Sequence, residues 1–344
     1  MAEVGAAPGP RGRPPSMADV AALAGVSHQT VSRVLNDASL VKEATRTRVL
    51  DAIRELGYRR NSAARSLATN RSGRIGMISA HLALHGPTMI SAAVHHAAHQ
   101  RGYEVSLAGL EEISAETLHE AVDRLLDQAV EAIVVAVAHR DALDATRALD
   151  LPIPVVIVQG VTPGEPLAAG IDQELGASLA VRHLLDLGHA EVAHVTGPLD
   201  WVEGVQRRAG WLREHETRGL LPGPEIAGDW TAESGHRAGV EIAARDDVTA
   251  VFAANDAMAL GVLKALHEHG RAVPGDVSVV GFDDVPEADF YWPGLTTVNQ
   301  AFSQLGTSAV DLVLRALRGE AEPATELLQP SLVVRSSSGA PTRA

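Results

Sequence analysis

The stretch VSHQTVSRVLN, residues 26–36, places polar side chains at the start of a short segment with helical apolar spacing. Val31, Val34 and Leu35 recur at that spacing, which predicts an amphipathic helix with one buried face. In the preceding segment MADVAALAG, residues 17–25, Val20, Leu23 and Ala24 have similar spacing and a glycine follows, which predicts a first helix with one apolar face and then a turn. Two short helices joined by a tight glycine-containing turn predict a helix-turn-helix.

Capping signals predict where these helices begin and end. Ser16 and Asp19 have the spacing of a capping box in its aspartate form, and Ser27 is placed to cap the second helix. A third helix is predicted over 43–56, with Gly57 at its end.

The polar start of the second helix indicates contact with DNA. That end of a helix-turn-helix enters the major groove, so its residues have to be polar to contact base edges. His28 and Gln29 are the predicted base readers, and Arg33, one turn later, is predicted to reach a guanine or a phosphate. Three hydroxyl side chains suit phosphate oxygens: Ser27, Thr30 and Ser32. A surface helix that is polar only for solubility is the alternative.

The charge balance separates this head from the rest of the chain. Residues 1–74 carry 12 Lys+Arg against 6 Asp+Glu, whereas the other residues carry 17 against 37, within a net charge of −14. A basic head on an acidic body predicts that only the head binds a polyanion. A merely charged tail is the alternative, but the apolar periodicity of the segment opposes it.

Composition excludes several kinds of protein. The chain has no Cys, so disulfides and thiolate metal sites are excluded. It has no run of 18 apolar residues, so neither a membrane-spanning helix nor a membrane partner is expected. Residues 1–15 are rich in Pro, Gly and Arg and lack the apolar core of a signal peptide, which predicts a disordered tail on a cytoplasmic protein.

Beyond residue 72, short apolar strands alternate with helical segments. The strands are RIGMIS, EVSLAG, EAIVVAV, PVVIVQG, EVAHVTG, AVFAAN and VSVVGFDD. This pattern predicts parallel sheets covered on both faces, in two lobes, with ligands at the carboxyl ends of strands. Polar residues that follow strands are therefore candidates: Gln159, Asn255, Asp256, Asp283 and Asp284. Asp256 and Asp284 are better explained as helix caps or lobe packing.

Motifs in both parts of the chain resemble one family. In the head they are DVAALAGVSHQTVSRVLN, TRTRVLDAIRELGYRRNSAARSLATNRS and GRIGMI. In the body they are LALHGP, GHAEVAHVTGPL, RRAGW, GDWTAESG, ANDAMALG, DVSVVGFDD and LTTVNQAF. Over about 16–338 the sequence resembles the LacI-type (lactose-repressor) family of bacterial transcriptional regulators, and most closely its lactose-type members.

This resemblance implies an all-α helix-turn-helix head with a hinge helix, followed by an α/β effector domain similar to periplasmic sugar-binding proteins. The implied boundaries are a tail over 1–15, the head over 16–60, hinge helix and linker over 61–72, the effector domain over 73–338 and a tail over 339–344. The first lobe would comprise about 73–171 and 302–329, and the second about 172–298 and 330–338.

In the family the hinge helix, here 61–69, forms on DNA, pairs with its twin in the dimer and inserts a leucine into the minor groove. Leu67 occupies that position, with Ala64 before it, and such a wedge bends the duplex by unstacking a base step. The implied DNA-contacting residues are Ser27, His28, Gln29, Thr30, Ser32, Arg33, Asn36, Ala64 and Leu67.

The resemblance also implies an effector pocket between the lobes. Arg207, Asn255 and Asp283 would hydrogen-bond sugar hydroxyls, and Trp230 would stack on the apolar face of the sugar. Several hydroxyl partners and one flat apolar surface suit a galactoside-type sugar. The implied set is Leu84, Pro87, Ile90, Gln159, Glu203, Arg207, Trp230, Asn255, Asp283, Gln300 and Phe302.

Four positions depart from the lactose-type pattern. Ala80 and Glu203 each replace a serine, Gln159 replaces an aspartate, and Ile171 replaces an aromatic residue. Gln159 adds a donor to its acceptor oxygen and Glu203 brings a carboxylate near the sugar, so the aglycone or second sugar unit is left open. Arg207 could instead bind a phosphate or carboxylate, although the nearby acidic residues disfavour an anion.

Weaker signals predict neither an enzyme nor a metalloprotein. His95, His96 and His99 share a helical segment but lack an H-E-x-x-H arrangement, so a subunit interface explains this segment better than a metal site. No nucleotide-binding glycine motif or nucleophile elbow is present, and no cofactor is expected. Asp283 and Asp284 resemble a catalytic carboxylate pair but belong to a ligand-binding strand end.

These features predict a sugar-responsive transcriptional repressor that binds a pseudo-palindromic DNA operator. The stretch LVVRSSSGAPTRA near the C-terminus lacks leucine heptads, so a homodimer rather than a tetramer is expected. One alternative is a regulator with another effector: a different sugar, a purine-type corepressor or a protein partner. The other is a pure carbohydrate-binding receptor, which the DNA-binding head opposes.

Overall fold

The computed structural model describes residues 15–36, 41–58, 71–161, 167–320 and 325–342. The chain divides into two compact units, a head unit of 1–71 and an effector unit of 72–344. The predicted hinge helix, with Ala64 and Leu67, lies outside the described residues, as does nearly all of the predicted N-terminal tail.

The described residues of the head unit form three helices whose ends lie within a residue of the predicted ones. They are α1 (Met17–Ala24), α2 (His28–Asn36) and α3 (Glu43–Leu56). The capping box of α1 is confirmed, because Ser16 N donates to Asp19 Oδ2 at 2.8 Å and Asp19 N donates to Ser16 Oγ at 3.4 Å. Thr30 N donates to Ser27 Oγ at 3.2 Å, which confirms Ser27 as the cap of α2. Gly57 ends α3 in the left-handed region, with φ 61°.

The core of the head includes one fully buried valine from each helix. Val20, Val31 and Val49 are fully buried. Leu23 was expected on the buried face of α1 but is 46% exposed. That expectation is wrong because the small Ala21 occupies the buried side of the helix instead.

The first lobe of the effector unit is a six-stranded sheet whose paired strands are all parallel. Its strands are β1 (Arg74–Ala80), β2 (Glu104–Leu110), β3 (Ala132–Ala136), β4 (Val155–Val158), β5 (Ala168–Ile171) and β11 (Thr325–Leu328). They lie in the order β11-β5-β4-β3-β1-β2. Its helices are α4 (His85–Gln100), α5 (Ala115–Asp127), α6 (Arg140–Arg147) and α11 (Phe302–Leu317).

The second lobe is a four-stranded parallel sheet, also with helices around it. Its strands are β6 (Ala193–Thr196), β7 (Glu225–Ala227), β8 (Ala250–Ala253) and β9 (Ser278–Val280), in the order β7-β6-β8-β9. Its helices are α7 (Gln173–Asp186), α8 (Val202–Arg218), α9 (Ala232–Ala243) and α10 (Asp256–Glu268). A further pair, β10 (Thr297–Asn299) and β12 (Ser331–Val333), is antiparallel.

Most of the apolar runs of the sequence form strands that are buried on both faces. Every residue of β3, AIVVA, and of β8, AVFA, is buried, as expected for strands covered on both faces. Residues of α4 and α11 share one core with the first sheet, and residues of α5 share another. The predicted class of two parallel-sheet lobes is confirmed. Short strands such as β7 and β12 were not predicted, since three residues carry little periodicity.

The segment after residue 338 was predicted to be a tail, but its described part is tied to the second lobe. Gly339 N donates to Ser278 Oγ at 3.0 Å. Thr342 Oγ1 donates to the carbonyl of Gly275 at 2.6 Å. These hydrogen bonds hold the segment against the sheet.

Candidate functional site

A cavity that opens to solvent lies between the two lobes of the effector unit, and its empty space, the open mouth included, is about 390 Å³. Its lining residues follow strands or begin helices, so the carboxyl ends of both sheets meet there, as parallel sheets favour for ligand binding. The lining consists of Leu84, His85, Gly86, Pro87, Gln159, Trp201, Glu203, Arg207, Trp230, Asn255, Asp283 and Gln300.

Most of the predicted effector residues meet at this cavity, but Ile90 and Phe302 do not line it. Both lie in the apolar core shared by α4, α11 and the first sheet. The ring of Phe302 packs edge to face against His85, with centroids 5.9 Å apart. Phe302 therefore supports a lining residue from behind, and Ile90 lies one turn too far along α4 to reach the cavity.

Arg207, on α8, is the centre of a buried polar network. Its Nε donates to Gln173 Oε1 at 2.9 Å, and its Nη1 donates to the carbonyl of Ala254. Its guanidinium carbon lies 3.9 Å from the centre of the Phe282 ring, a cation–π contact. Its Nη1 is also 3.7 Å from Asp283 Oδ1. These contacts on several sides hold the guanidinium in one orientation.

Asp283 and Gln300 extend this network towards the first lobe. Gln300 Nε2 donates to Asp283 Oδ1 at 2.5 Å, and Gln173 Nε2 donates to Gln300 Oε1 at 2.8 Å. Burial raises the pKa of Asp283, while Arg207 and His85 oppose that rise. The wall thus alternates donors and acceptors, which suits the hydroxyl groups of a polyol.

The indole of Trp230 forms a flat apolar wall of the cavity, and neighbouring residues fix its position. Its indole packs against Gly197, where a Cβ would overlap the ring atoms. Asn255 Nδ2 donates to the Trp230 carbonyl at 3.1 Å, while Asn255 Oδ1 caps α10 by accepting from Met258 N at 2.9 Å. Trp201 packs edge to face on Trp230, with centroids 5.9 Å apart. The indole is therefore fixed by both its backbone and its ring neighbours.

Two buried acceptor atoms in the wall lack a partner. Among the described residues, no donor lies within hydrogen-bond distance of Gln159 Oε1 or of Glu203 Oε2. The other oxygen, Glu203 Oε1, accepts from Gly160 N at 3.0 Å. Burial raises the pKa of Glu203 to about 7, and Arg207 partly opposes that rise. Unpartnered buried acceptors are costly, so both are suited to accept hydrogen bonds from a ligand.

Three residues that line this cavity have a strained backbone. Gln159, Trp230 and Asp283 have φ angles of 77°, 70° and 120°, in the left-handed region that favours glycine. Each such residue costs about 1–3 kcal/mol and persists only where its surroundings hold it, which is common at functional sites.

Four residues of the site were not predicted from the sequence. His85, Gly86 and Trp201 line the cavity, and Gln173 joins Arg207 to Gln300. Each carried a signal, because His85 and Gly86 lie in the quoted motif LALHGP, Gln173 follows β5, and Trp201 is an aromatic residue just beyond β6. Aromatic residues that follow strands are therefore candidate site residues, as the polar ones are.

Asp256 and Asp284 do not line the cavity. Asp256 Oδ1 accepts from Thr297 Oγ1 at 2.5 Å, and its Oδ2 accepts from Val285 N at 2.9 Å. Asp284 Oδ1 pairs with Arg335 Nη2 at 2.7 Å. Burial raises the pKa of Asp256 to about 8. Their structural role is as expected, although they tie loops together instead of capping helices.

The histidines of α4 are not arranged as a metal site. His95, His96 and His99 are exposed, and His96 Nε2 lies 2.9 Å from Gln100 Nε2. Throughout the described ranges, no group of three or more His, Asp or Glu side chains could hold a metal ion. In the same ranges, no helix is long and apolar enough to cross a membrane.

The candidate DNA-contacting residues gather at the start of α2 in the head unit. The exposed ones are Ser27, His28, Gln29 and Arg33, and the half-buried ones are Thr30 and Ser32. Ser27 Oγ and Thr30 Oγ1 lie 2.9 Å apart, so these two hydroxyls also serve the cap. Asn36 is the last residue of α2. The exposed side chains at the helix start are those that a base edge could reach.

Known proteins match both units. Residues 16–61 match the family model of bacterial regulatory proteins of the lacI family, and residues 181–338 match a periplasmic binding protein-like domain. The lactose operon repressor of Escherichia coli (strain K12) is 39% identical over 333 residues, covering 96% of this chain and 92% of that protein.

Two solved structures are similar to this chain over nearly its whole length. One is a lac repressor dimer bound to operator and the anti-inducer ONPF, with a TM-score of 0.86 and 37% identity, covering 95% of this chain and 100% of that one. The other is the transcriptional regulator CelR in complex with cellobiose, with a TM-score of 0.71 and 33% identity, covering 94% of this chain and 100% of that one. By its helix-turn-helix head, its two-lobed body and its identity to a member over nearly its whole length, the chain belongs to the lacI family of bacterial regulatory proteins.

Proposed function

We propose that this LacI-family DNA-binding repressor leaves its operator when a galactoside-type sugar binds between the lobes. One observation carries the proposal: a fixed indole wall, Trp230, faces the same cavity as Arg207, Asn255, Asp283 and Gln300. A pyranose has a flat C–H face and a belt of hydroxyls, so it needs one aromatic surface and several donors and acceptors.

The head supplies the DNA contacts. The start of α2 enters the major groove, where His28 and Gln29 read base edges and Arg33 reaches a guanine or phosphate. The hinge helix over 61–69 inserts Leu67 into the minor groove, and two chains act as a homodimer on a pseudo-palindromic operator. The solved lac repressor dimer on its operator supports this arrangement for a relative.

Sugar and operator are coupled through the lobes. The Glu203–Gly160 hydrogen bond and the Gln173–Gln300 hydrogen bond are contacts through which a ligand can bias the relation of one lobe to the other. A sugar can bind the DNA-incompetent arrangement more favourably than the DNA-bound one by about 1–3 kcal/mol. The free energy of operator binding is then weakened by the same coupling free energy.

Fluorescence anisotropy of the full chain on a symmetric lactose-type operator tests the proposal. The complex is titrated with galactosides, glucosides and purines. Release by a galactoside is the expected result. Release by glucosides alone, tighter binding with a purine, or no response to any of them would overturn the galactoside assignment. The cellobiose complex of CelR makes a β-glucoside disaccharide a necessary member of the panel.

A further inference from the structure

We propose that the effector carries a protonated amine, so that the protein recognises an amino sugar through Glu203 and Gln159. This inference rests on the sugar-effector function proposed above and adds the chemical class of the sugar. Both residues depart from the lactose-type pattern, and neither belongs to the hydrogen-bond network of Arg207, Asp283 and Gln300.

Hydrogen bonding supplies the first argument. Gln159 and Glu203 line the cavity, and the buried atoms Gln159 Oε1 and Glu203 Oε2 have no hydrogen-bond partner among the described residues. Gly160 N donates to Glu203 Oε1 at 3.0 Å, so Oε2 is the oxygen left for a ligand. Gln159 directly precedes Gly160 in the chain, and Gln159 and Glu203 line the same cavity. Both unpartnered acceptors therefore belong to residues of one binding wall.

An ammonium group matches this pair of acceptors better than a hydroxyl. It presents three donors and no acceptor, whereas a hydroxyl presents one donor. An ammonium therefore has one donor for Glu203 Oε2 and further donors for other acceptors of the cavity wall. A hydrogen bond to a charged group also contributes more than one between neutral groups.

Charge supplies the second argument. The wall contains two carboxylates, Asp283 and Glu203, and one arginine, Arg207. Arg207 lies 3.7 Å from Asp283 Oδ1 and also donates to Gln173 and to the carbonyl of Ala254. In the described chain Glu203 forms no ion pair within 4.0 Å. Arg207 offsets the burial of Glu203 only in part. A buried carboxylate without an ion-pair partner is unfavourable, and a cationic ligand supplies that partner.

Calorimetric titration of the full chain at pH 7 compares matched sugars. The probes are galactose, galactosamine, 6-amino-6-deoxygalactose and N-acetylgalactosamine, with the glucose counterparts. At least one amino sugar is expected to bind about tenfold more tightly than its parent, and its N-acetyl form, which lacks the charge, no more tightly than the parent. Equal or weaker binding of every amino sugar overturns the proposal.

Glu203→Gln tests the residue assignment. The amide keeps an oxygen for Gly160 N but removes the charge, so the ratio of amino-sugar to parent-sugar affinity should fall to about one. Glu268→Gln is the matched control, because Glu268 is an exposed carboxylate paired with Lys264 and His236 and lies outside the cavity lining. It should keep the ratio. A preference that survives in Glu203→Gln overturns the proposal.

The outcomes separate this inference from the function on which it rests. If neutral galactosides bind and release the operator but amines bring no gain, the galactoside function stands and the amino-sugar class is wrong. If neither neutral nor amino sugars bind, both are wrong. The comparison of amine with N-acetyl forms uses the unaltered protein, so the result does not depend on how the variants fold.

Discussion

Arg207 Nη1 lies 3.7 Å from Asp283 Oδ1, and both side chains are buried in the wall of the inter-lobe cavity. The two residues come from different elements, α8 and the turn after β9. Asp283 also accepts from Gln300, and Arg207 donates to Gln173. The pair therefore orients the polar half of the cavity before any ligand binds, and such preorganisation reduces the cost of ordering side chains on binding.

Arg207→Ala should abolish the sugar response while operator binding persists. Removing one partner of a buried pair leaves Asp283 without its counter-charge, so the free energy of unfolding should also fall by about 3–5 kcal/mol. Sugar affinity is measured by calorimetry and operator affinity by anisotropy. Arg208→Ala is the matched control, because the Arg208–Glu225 pair is partly exposed and should contribute about 1 kcal/mol or less. A normal sugar response in Arg207→Ala would show that the cavity is not the effector site.

Gly197→Ala should weaken sugar binding by displacing an aromatic wall. The added Cβ would overlap the indole of Trp230, which has to move. Overpacking of this kind typically costs about 1–3 kcal/mol of stability. Gly275→Ala is the control, since its Cβ would meet only Ala272 Cβ at 3.4 Å. Calorimetry with the same galactoside should show a loss in the first variant alone, and equal affinities would contradict the assigned role of Trp230.

Asp256→Asn should reduce the dependence of stability on pH. Burial raises the pKa of Asp256 from 3.8 to about 8, so between these values the folded chain binds a proton that the unfolded chain has lost. The contribution of this carboxyl group to the free energy of unfolding is fully present below pH 3.8. It falls by up to about 1.4 kcal/mol per pH unit as the pH rises, and it is lost above about pH 8. Urea denaturation from pH 5 to pH 9 should show this decline. Glu203, with a pKa of about 7, adds a decline of the same sign.

In Asp256→Asn the slope should become shallower, because an amide does not titrate, while the decline due to Glu203 remains. Val285 N can still donate to the amide oxygen, and the Thr297 hydroxyl can accept from the amide nitrogen. A variant with the same slope as the unaltered chain would show that Asp256 is ionised throughout this range.

Gln29→Ala should relax operator specificity at one base pair. Gln29 is exposed at the start of α2, where a bidentate amide contact discriminates against wrong bases by about 1–3 kcal/mol. The test measures affinities for operators altered at single positions. A loss shared equally by all operators would mean that Gln29 contacts phosphate and not a base edge. Thr30→Ala provides that contrast, since loss of a phosphate contact should weaken all sequences alike.

The helices of the head were predictable because their signals are local. The capping box of Ser16 and Asp19 and the glycine after α3 act within one turn of the chain, and the structure has both. Leu23 marks the limit of such reasoning. Its spacing predicted burial, but the neighbours that pack on α1 come from α2 and α3, and they leave Leu23 exposed.

The sequence by itself determined the helices of the head, the main buried strands of both lobes, the family and most of the residues that line the cavity, because apolar periodicity and motifs are properties of neighbouring residues. The tertiary structure alone decided that Ile90 and Phe302 belong to the core and that Trp201 and Gln173 belong to the site. It also decided which polar atoms have partners. Gly160 and Glu203 are 43 residues apart, and only the folded lobes bring one carboxylate oxygen to a donor and leave the other without one.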